Sequence, residues 1–147
     1  MPDKSNLVKV NQPSGLLRKS KTLITNPRIG YGKSSIEGAG LGVFADTDIR
    51  DGKVVEVAPY LESDDNILRV EGINDYVFKI EEDRYCVGLG LVSLYNHSDD
   101  PNADWVINQS KNEIRIIAKK DITKGEEITI SYGKSYWESR DASKEND

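Results

Sequence analysis

Between residues 28 and 130 the apolar residues come in short runs, about four to six long, each closed within a few positions by Gly, Pro, Asn or Asp. That punctuation leaves little room for a helix of ordinary length and favours a chain of short strands. Residues 28–35 alternate in a strand-like way, and Gly38-Ala39-Gly40 turns into a second strand over 41–45. Asp51-Gly52 leads into a valine-rich strand over 53–58, which Pro59 is expected to end. Ser63-Asp64-Asp65-Asn66 offers side-chain oxygens that would cap one brief helix through Arg69. Two hairpins are expected, residues 76–80 and 84–87 around Glu81-Glu82-Asp83, and residues 103–108 and 113–118 over Gln109-Ser110-Lys111-Asn112. Ile122 then leads through Lys124-Gly125 to a last strand. The fold class expected is mainly β, with several small sheets.

The size, 147 residues, suits one domain. We divide it into a basic tail over 1–25, a folded domain over 26–138, and a charged tail over 139–147. Apolar residues at 37% and charged ones at 31% suit a soluble protein, and no apolar run reaches the roughly eighteen residues of a membrane span. The polar N-terminus lacks the apolar core of a signal peptide, so an intracellular location is expected. One cysteine, Cys86, and one histidine, His97, exclude an internal disulfide and an ordinary Cys/His zinc cluster, so no metal is expected. Residues 1–25 hold Lys4, Lys9, Arg18, Lys19 and Lys21 against Asp3, a net charge of +4, so the rest carries −9 of the total −5. An acidic body argues against direct nucleic-acid binding and suits a basic peptide partner, although solubility alone is a competing reading.

The only histidine lies in Leu94-Tyr95-Asn96-His97-Ser98-Asp99-Asp100-Pro101-Asn102. Asn, His, Ser and Asp side chains compete with the backbone for hydrogen bonds, and Pro101 biases Asp100 away from the α region, so a shaped loop is expected here. A surface Asx-rich turn and a binding loop are equally good readings of this stretch alone.

Two further stretches separate those readings. Gly38-Ala39-Gly40-Leu41-Gly42 lies upstream, and Gly125-Glu126-Glu127-Ile128-Thr129-Ile130-Ser131-Tyr132-Gly133 lies downstream. A Gly-x-Gly turn alone is weak. The three in this order, over roughly residues 27 to 138, resemble the signatures of the SET-domain protein lysine methyltransferases. The chain is most similar to the minimal forms, the small virus-encoded and stand-alone microbial members. The resemblance implies several small sheets around a knot-like C-terminal crossing. It also implies S-adenosyl-L-methionine as cofactor and transfer of its methyl group to the side-chain amine of lysine in a histone-like tail or other basic peptide. A homodimer is compatible with it, as is a location in the cytoplasm or, for a virus-encoded protein, the host nucleus.

Carried over by position, Tyr132 matches the catalytic tyrosine, which also touches the cofactor. Gly40, Leu41 and Gly42 match the turn whose backbone approaches the methionine moiety, and Asn96 and His97 match the positions that hold the methionine end and the adenine. By the same resemblance His97 acts largely through its backbone. Trp137 falls where an aromatic covers the adenine face, a tryptophan that closes the core being the competing reading. Tyr76, Tyr95 and Ile130 are assigned to the channel for the substrate lysine. Free lysine has a pKa of about 10.4, so the site must either disfavour ammonium or wait for the rare neutral amine, and an apolar channel ending at a sulfonium cation does the first.

This chain departs from the family pattern twice. Many members carry Arg-Phe-Ile before Asn-His-Ser, where Ser93-Leu94-Tyr95 stands here, and many carry Phe or Tyr where Ile130 stands. The smaller Ile130 hints at addition of more than one methyl. The competing function is a degenerate SET fold that grips lysine-rich peptides without turnover. In the tail, Leu17-Arg18-Lys19-Ser20 makes Lys19 a candidate self-substrate.

Overall fold

The computed structural model describes residues 28–133. The expectations placed on the N-terminal tail and Lys19, on Trp137, on the last residues and on any C-terminal crossing past Gly133 lie outside the described residues. Among the described residues nine strands form two sheets, one of four strands and one of five.

The smaller sheet begins with strands β1 (Ile29–Lys33) and β2 (Leu41–Ala45), antiparallel in the register Gly32 to Gly42, as the glycine-rich turn predicts. Gly40 has φ +75°, a left-handed backbone that a side chain resists, and its carbonyl accepts the Ser34 N–H at 2.8 Å. The sheet is completed by two strands distant in sequence, β9 (Glu127–Ile130) antiparallel to β2 and β6 (Asn96–His97) parallel to β9. The Asn-His-Ser stretch is therefore part strand. Asn96 pairs with Thr129 and His97 with Ile130, and the loop expected there begins only at Ser98.

The larger sheet has the order β4-β5-β3-β8-β7, with β3 spanning Val54–Ser63, β4 Val77–Glu81, β5 Arg84–Gly88, β7 Ala103–Asn108 and β8 Glu113–Ala118. Both expected hairpins are present, and Asp83 and Asn112 take positive φ at their turns. Strand β3 does not stop at Pro59. It runs four residues further because it changes partners there, from β8 through Pro59 to β5 from Tyr60 onward. The Pro59 carbonyl still accepts the Leu89 N–H at 2.8 Å, and its missing N–H falls where β5 ends.

The brief helix expected after Ser63 is a 3-10 helix, Asp65–Arg69, capped by Asp64, whose side chain accepts from the Asn66 N–H at 3.0 Å. It buries no residue, so nothing drives it to a longer α-helix. Period-two alternation is clean in β8, where Ile114, Ile116 and Ala118 face the core. Strand β9 buries Ile128, Thr129 and Ile130 in succession, since it has a strand on either side and core on both faces. No helix among the described residues is long and apolar enough to cross a membrane, and none of their His, Cys, Asp and Glu side chains form a group of three or more able to hold a metal ion.

Candidate active site

Strand β9 delivers its chain end to the core, and the residue two past its last member, Tyr132, is fixed at three points. Its N–H donates to His97 Nδ1 at 3.1 Å, its hydroxyl donates to the Tyr95 carbonyl at 2.8 Å, and its ring lies 5.4 Å from that of His97. Because Nδ1 accepts, the His97 proton sits on Nε2, which donates to Asp99 at 2.8 Å. The imidazole thus engages both nitrogens in orienting Tyr132. The family resemblance implied a backbone role for His97; its side chain makes these further contacts.

Tyr132 is also part of the wall of a cavity of about 410 Å³. Tyr76, Tyr95 and Ile130, the three residues assigned to a lysine channel, line the same cavity, together with Phe78, Tyr85 and Trp105. Phe78 and Trp105 meet edge to face with ring centroids 5.2 Å apart, and Trp105 Nε1 donates to the Ser131 carbonyl at 2.9 Å. Trp105 so braces the backbone next to Tyr132. Its only sequence signal was an aromatic in an apolar strand, which does not distinguish a cavity wall from core.

The second half of the site is a shelf built around Glu127. Asn96 Nδ2 donates both to the Leu41 carbonyl at 2.8 Å and to Glu127 Oε1 at 2.9 Å. Ser34 Oγ donates to the same oxygen at 2.8 Å, while the Ser35 hydroxyl and N–H donate to Oε2 at 2.7 and 3.1 Å. Burial alone would raise the Glu127 carboxyl, but the Asn96, Ser35 and Ser34 donors outweigh it and hold it below the usual carboxylate range. One anionic group therefore ties the turn after β1, the start of β2 and strand β6 together. Asn102 adds a further tie, donating to the Glu127 carbonyl and accepting the Thr129 N–H, each at 2.9 Å.

Of the residues that sequence reasoning named, the structure joins Leu41, Asn96 and the Gly40 to Gly42 backbone at this shelf, and Tyr76, Tyr95, Ile130 and Tyr132 at the cavity. His97 follows Asn96 of the shelf in β6 and reaches the cavity side through its hydrogen bond with Tyr132. Sequence reasoning quoted Glu127 inside a motif without giving it a task, and it missed Glu56. Glu56 is 7% exposed within the apolar run of β3 and accepts from the Tyr95 hydroxyl at 3.0 Å and the Leu91 N–H at 2.9 Å. A lone acid among valines was the available signal. Cys86 is buried and its thiol is pushed up to about 12, chiefly by that burial, so it is no thiolate at neutral pH.

The SET-domain family model matches residues 40–133. The Schizosaccharomyces pombe histone-lysine N-methyltransferase specific for H3 lysine-37 is 32% identical over 111 residues, which span 73% of this chain and 76% of that protein. Among solved structures, a candidate histone methyltransferase of Plasmodium falciparum is 35% identical with a TM-score of 0.65, covering 75% of this chain and 96% of the other. An active polycomb repressive complex 2 in its basal state contains a chain 30% identical with a TM-score of 0.64, over 72% of this chain and 15% of that one. Its three motifs meeting at one site and a family match running from Gly40 to Gly133, this chain belongs to the SET-domain family, which includes the histone-lysine methyltransferases.

Proposed function

We propose that this chain transfers methyl groups from S-adenosylmethionine to the side-chain amine of lysine in a basic, histone-like protein segment. The observation that carries the reading is the placement of Tyr132, in the wall of an aromatic cavity and hydrogen-bonded to the histidine that follows Asn96. A phenol held at both its hydroxyl and its main chain can orient an amine with little reorganisation.

The residues present fit the cofactor. S-adenosylmethionine, when bound, supplies a methyl group on a sulfonium and carries an ammonium at its methionine end, so it presents two cations. An ionised carboxylate under Gly42 and Asn96 is suited to that charge, and the Gly40 to Gly42 turn, Leu41, Asn96 and His97 would hold the methionine end and the adenine. On the other side, the walls formed by Tyr76, Phe78, Tyr95 and Ile130 exclude water from a lysine side chain and disfavour its ammonium form. The Tyr132 hydroxyl and the Tyr95 carbonyl are the polar groups that would direct the neutral amine. Ile130, smaller than the aromatic many members place there, leaves room for an amine that already carries a methyl group.

The substrate is proposed to be basic because the segment beside the cavity is acidic, with Asp64 capping and Asp65 opening the 3-10 helix Asp65–Arg69, Glu71 after it and Asp75 in a second 3-10 turn, Asn74–Tyr76. The test is incubation with isotope-labelled S-adenosylmethionine and core histones, read by mass spectrometry, with Tyr132→Phe as control. Methyl mass on histone lysine in the wild type, lost in Tyr132→Phe, is the expected result. Peptide binding with no methyl mass would replace the proposal with a binding module that lacks turnover.

A further inference from the structure

A carboxylate in a protein core is costly unless every lone pair has a task. Glu56 in β3 is such a group: 7% exposed, flanked by Val55 and Val57, and with its pKa raised by burial against partly offsetting hydrogen bonds. Its two oxygens take the two ends of one short segment. Oε2 accepts the N–H of Leu91, the first residue of the 3-10 helix Leu91–Leu94, and Oε1 accepts the hydroxyl of Tyr95, the residue just after it. Gly90, at φ +110°, has no Cβ because one would stand 2.8 Å from Glu56 Oε2. The chain is thus bent closely around this carboxylate.

What the clamp holds in place is the Tyr95 carbonyl, the group that accepts the Tyr132 hydroxyl at 2.8 Å. Tyr95 is 2% exposed, so its ring cannot turn without disturbing the core, and the Glu56 bond sets where along the pocket the phenol end stops. We propose that Glu56 is a positioning residue for Tyr132: through Tyr95 it aims the carbonyl that directs the tyrosine hydroxyl into the cavity. Glu56 itself does not line that cavity. The kinetic consequence rests on the methyl-transfer reading, whereas the hydrogen-bond consequence does not.

The test uses the full chain labelled with tyrosine carrying 13C at Cζ, with the resonances assigned by Tyr95→Phe and Tyr132→Phe. Glu56→Ala removes the clamp, and Glu56→Gln keeps its volume and an acceptor oxygen for Tyr95. Glu56→Ala should move the Tyr132 resonance as well as that of Tyr95, and Glu56→Gln should return the Tyr132 resonance toward its wild-type position. With a histone H3 tail peptide as probe, Glu56→Ala should lower kcat about tenfold while KM changes less than about twofold, and Glu56→Gln should recover most of the loss. A Tyr132 resonance that stays in place in folded Glu56→Ala, or a rise in KM with kcat unchanged, overturns the proposal. If Glu56→Ala fails to fold, Tyr95→Phe breaks the same link with the ring retained, and the same two outcomes decide. Should the wild type show no turnover, the methyl-transfer reading fails and the resonance of Tyr132 alone decides the role of Glu56.

Discussion

A methyl group added at Gly42 would stand 2.2 Å from Oε1 of Glu127, so the missing side chain of the one is the space the carboxylate of the other fills. Gly40 is glycine for a different reason, its positive φ, with nothing near its absent Cβ. Gly42→Ala must therefore push Glu127 away from Asn96 and Ser34, and a cost of about 1–3 kcal/mol is expected for such overpacking. Thermal melting should register that loss. Calorimetry should show weaker binding of S-adenosylhomocysteine, and unchanged affinity would mean that the Glu127 shelf does not form the cofactor site.

Asn96 and Tyr132 should separate in a binding and turnover comparison. Asn96→Ala deletes donors to the Leu41 carbonyl and to Glu127, and leaving those acceptors short costs about 1–3 kcal/mol, expressed as lost cofactor affinity. Tyr132→Phe removes only a hydroxyl directed by Tyr95 and should leave cofactor affinity nearly intact while lowering kcat about a hundredfold or more. Equal loss of cofactor binding in the two variants would refute the division of roles.

Two acids, the buried Glu56 and the half-buried Glu127, should titrate in opposite senses. The Glu127 pKa is lowered on folding, so its contribution to stability is present above the ordinary glutamate value of about 4.3 and disappears as pH falls through the folded value. The Glu56 pKa is raised, so its favourable contribution is present below about 4.3 and is lost as pH rises through the folded value. Melting curves across acid and neutral pH should show the advantage of wild type over Glu127→Gln shrinking toward low pH. The advantage over Glu56→Gln should grow in the same direction. A parallel trend in both variants would contradict the assigned environments.

The acidic segment predicts a salt effect on substrate binding. Between residues 62 and 83, Glu62, Asp64, Asp65, Glu71, Asp75, Glu81, Glu82 and Asp83 stand against Arg69 and Lys79. Glu62 and Glu81 are paired with Arg84 and Glu82 with Lys79, and the run still keeps an excess of acids over bases that sets up a field toward a basic peptide. KM for a histone H3 tail peptide should rise as added salt shortens the screening length below about 10 Å. A KM indifferent to salt would leave this run as a solvated face.

The two hairpins and the β1–β2 turn were legible because everything that makes them is local: alternation within a few residues and a turn residue between. The three motifs were legible as a family resemblance for another reason. Their residue types, Gly at a tight turn, Asn and His before a proline, Tyr at a strand end, stand in short contiguous stretches in a fixed order. The tertiary structure alone decided the partner change at Pro59, which depends on β5 and β8 lying on opposite sides of β3. It alone made Asn96 and His97 a strand, since their ladder is provided by Thr129 and Ile130, more than thirty residues away. The same holds for the acids. Glu127 is joined to Ser34 and Ser35 across 93 and 92 positions, and Glu56 to Tyr95 across 39, distances at which sequence pattern is silent. The sequence by itself determined most of the short strands and the three motifs, but not the Asn96–His97 strand, the run of β3 past Pro59 or the place of Glu56. Which side chains meet depended on sheet closure, because a buried carboxylate needs donors and only the folded chain brings them.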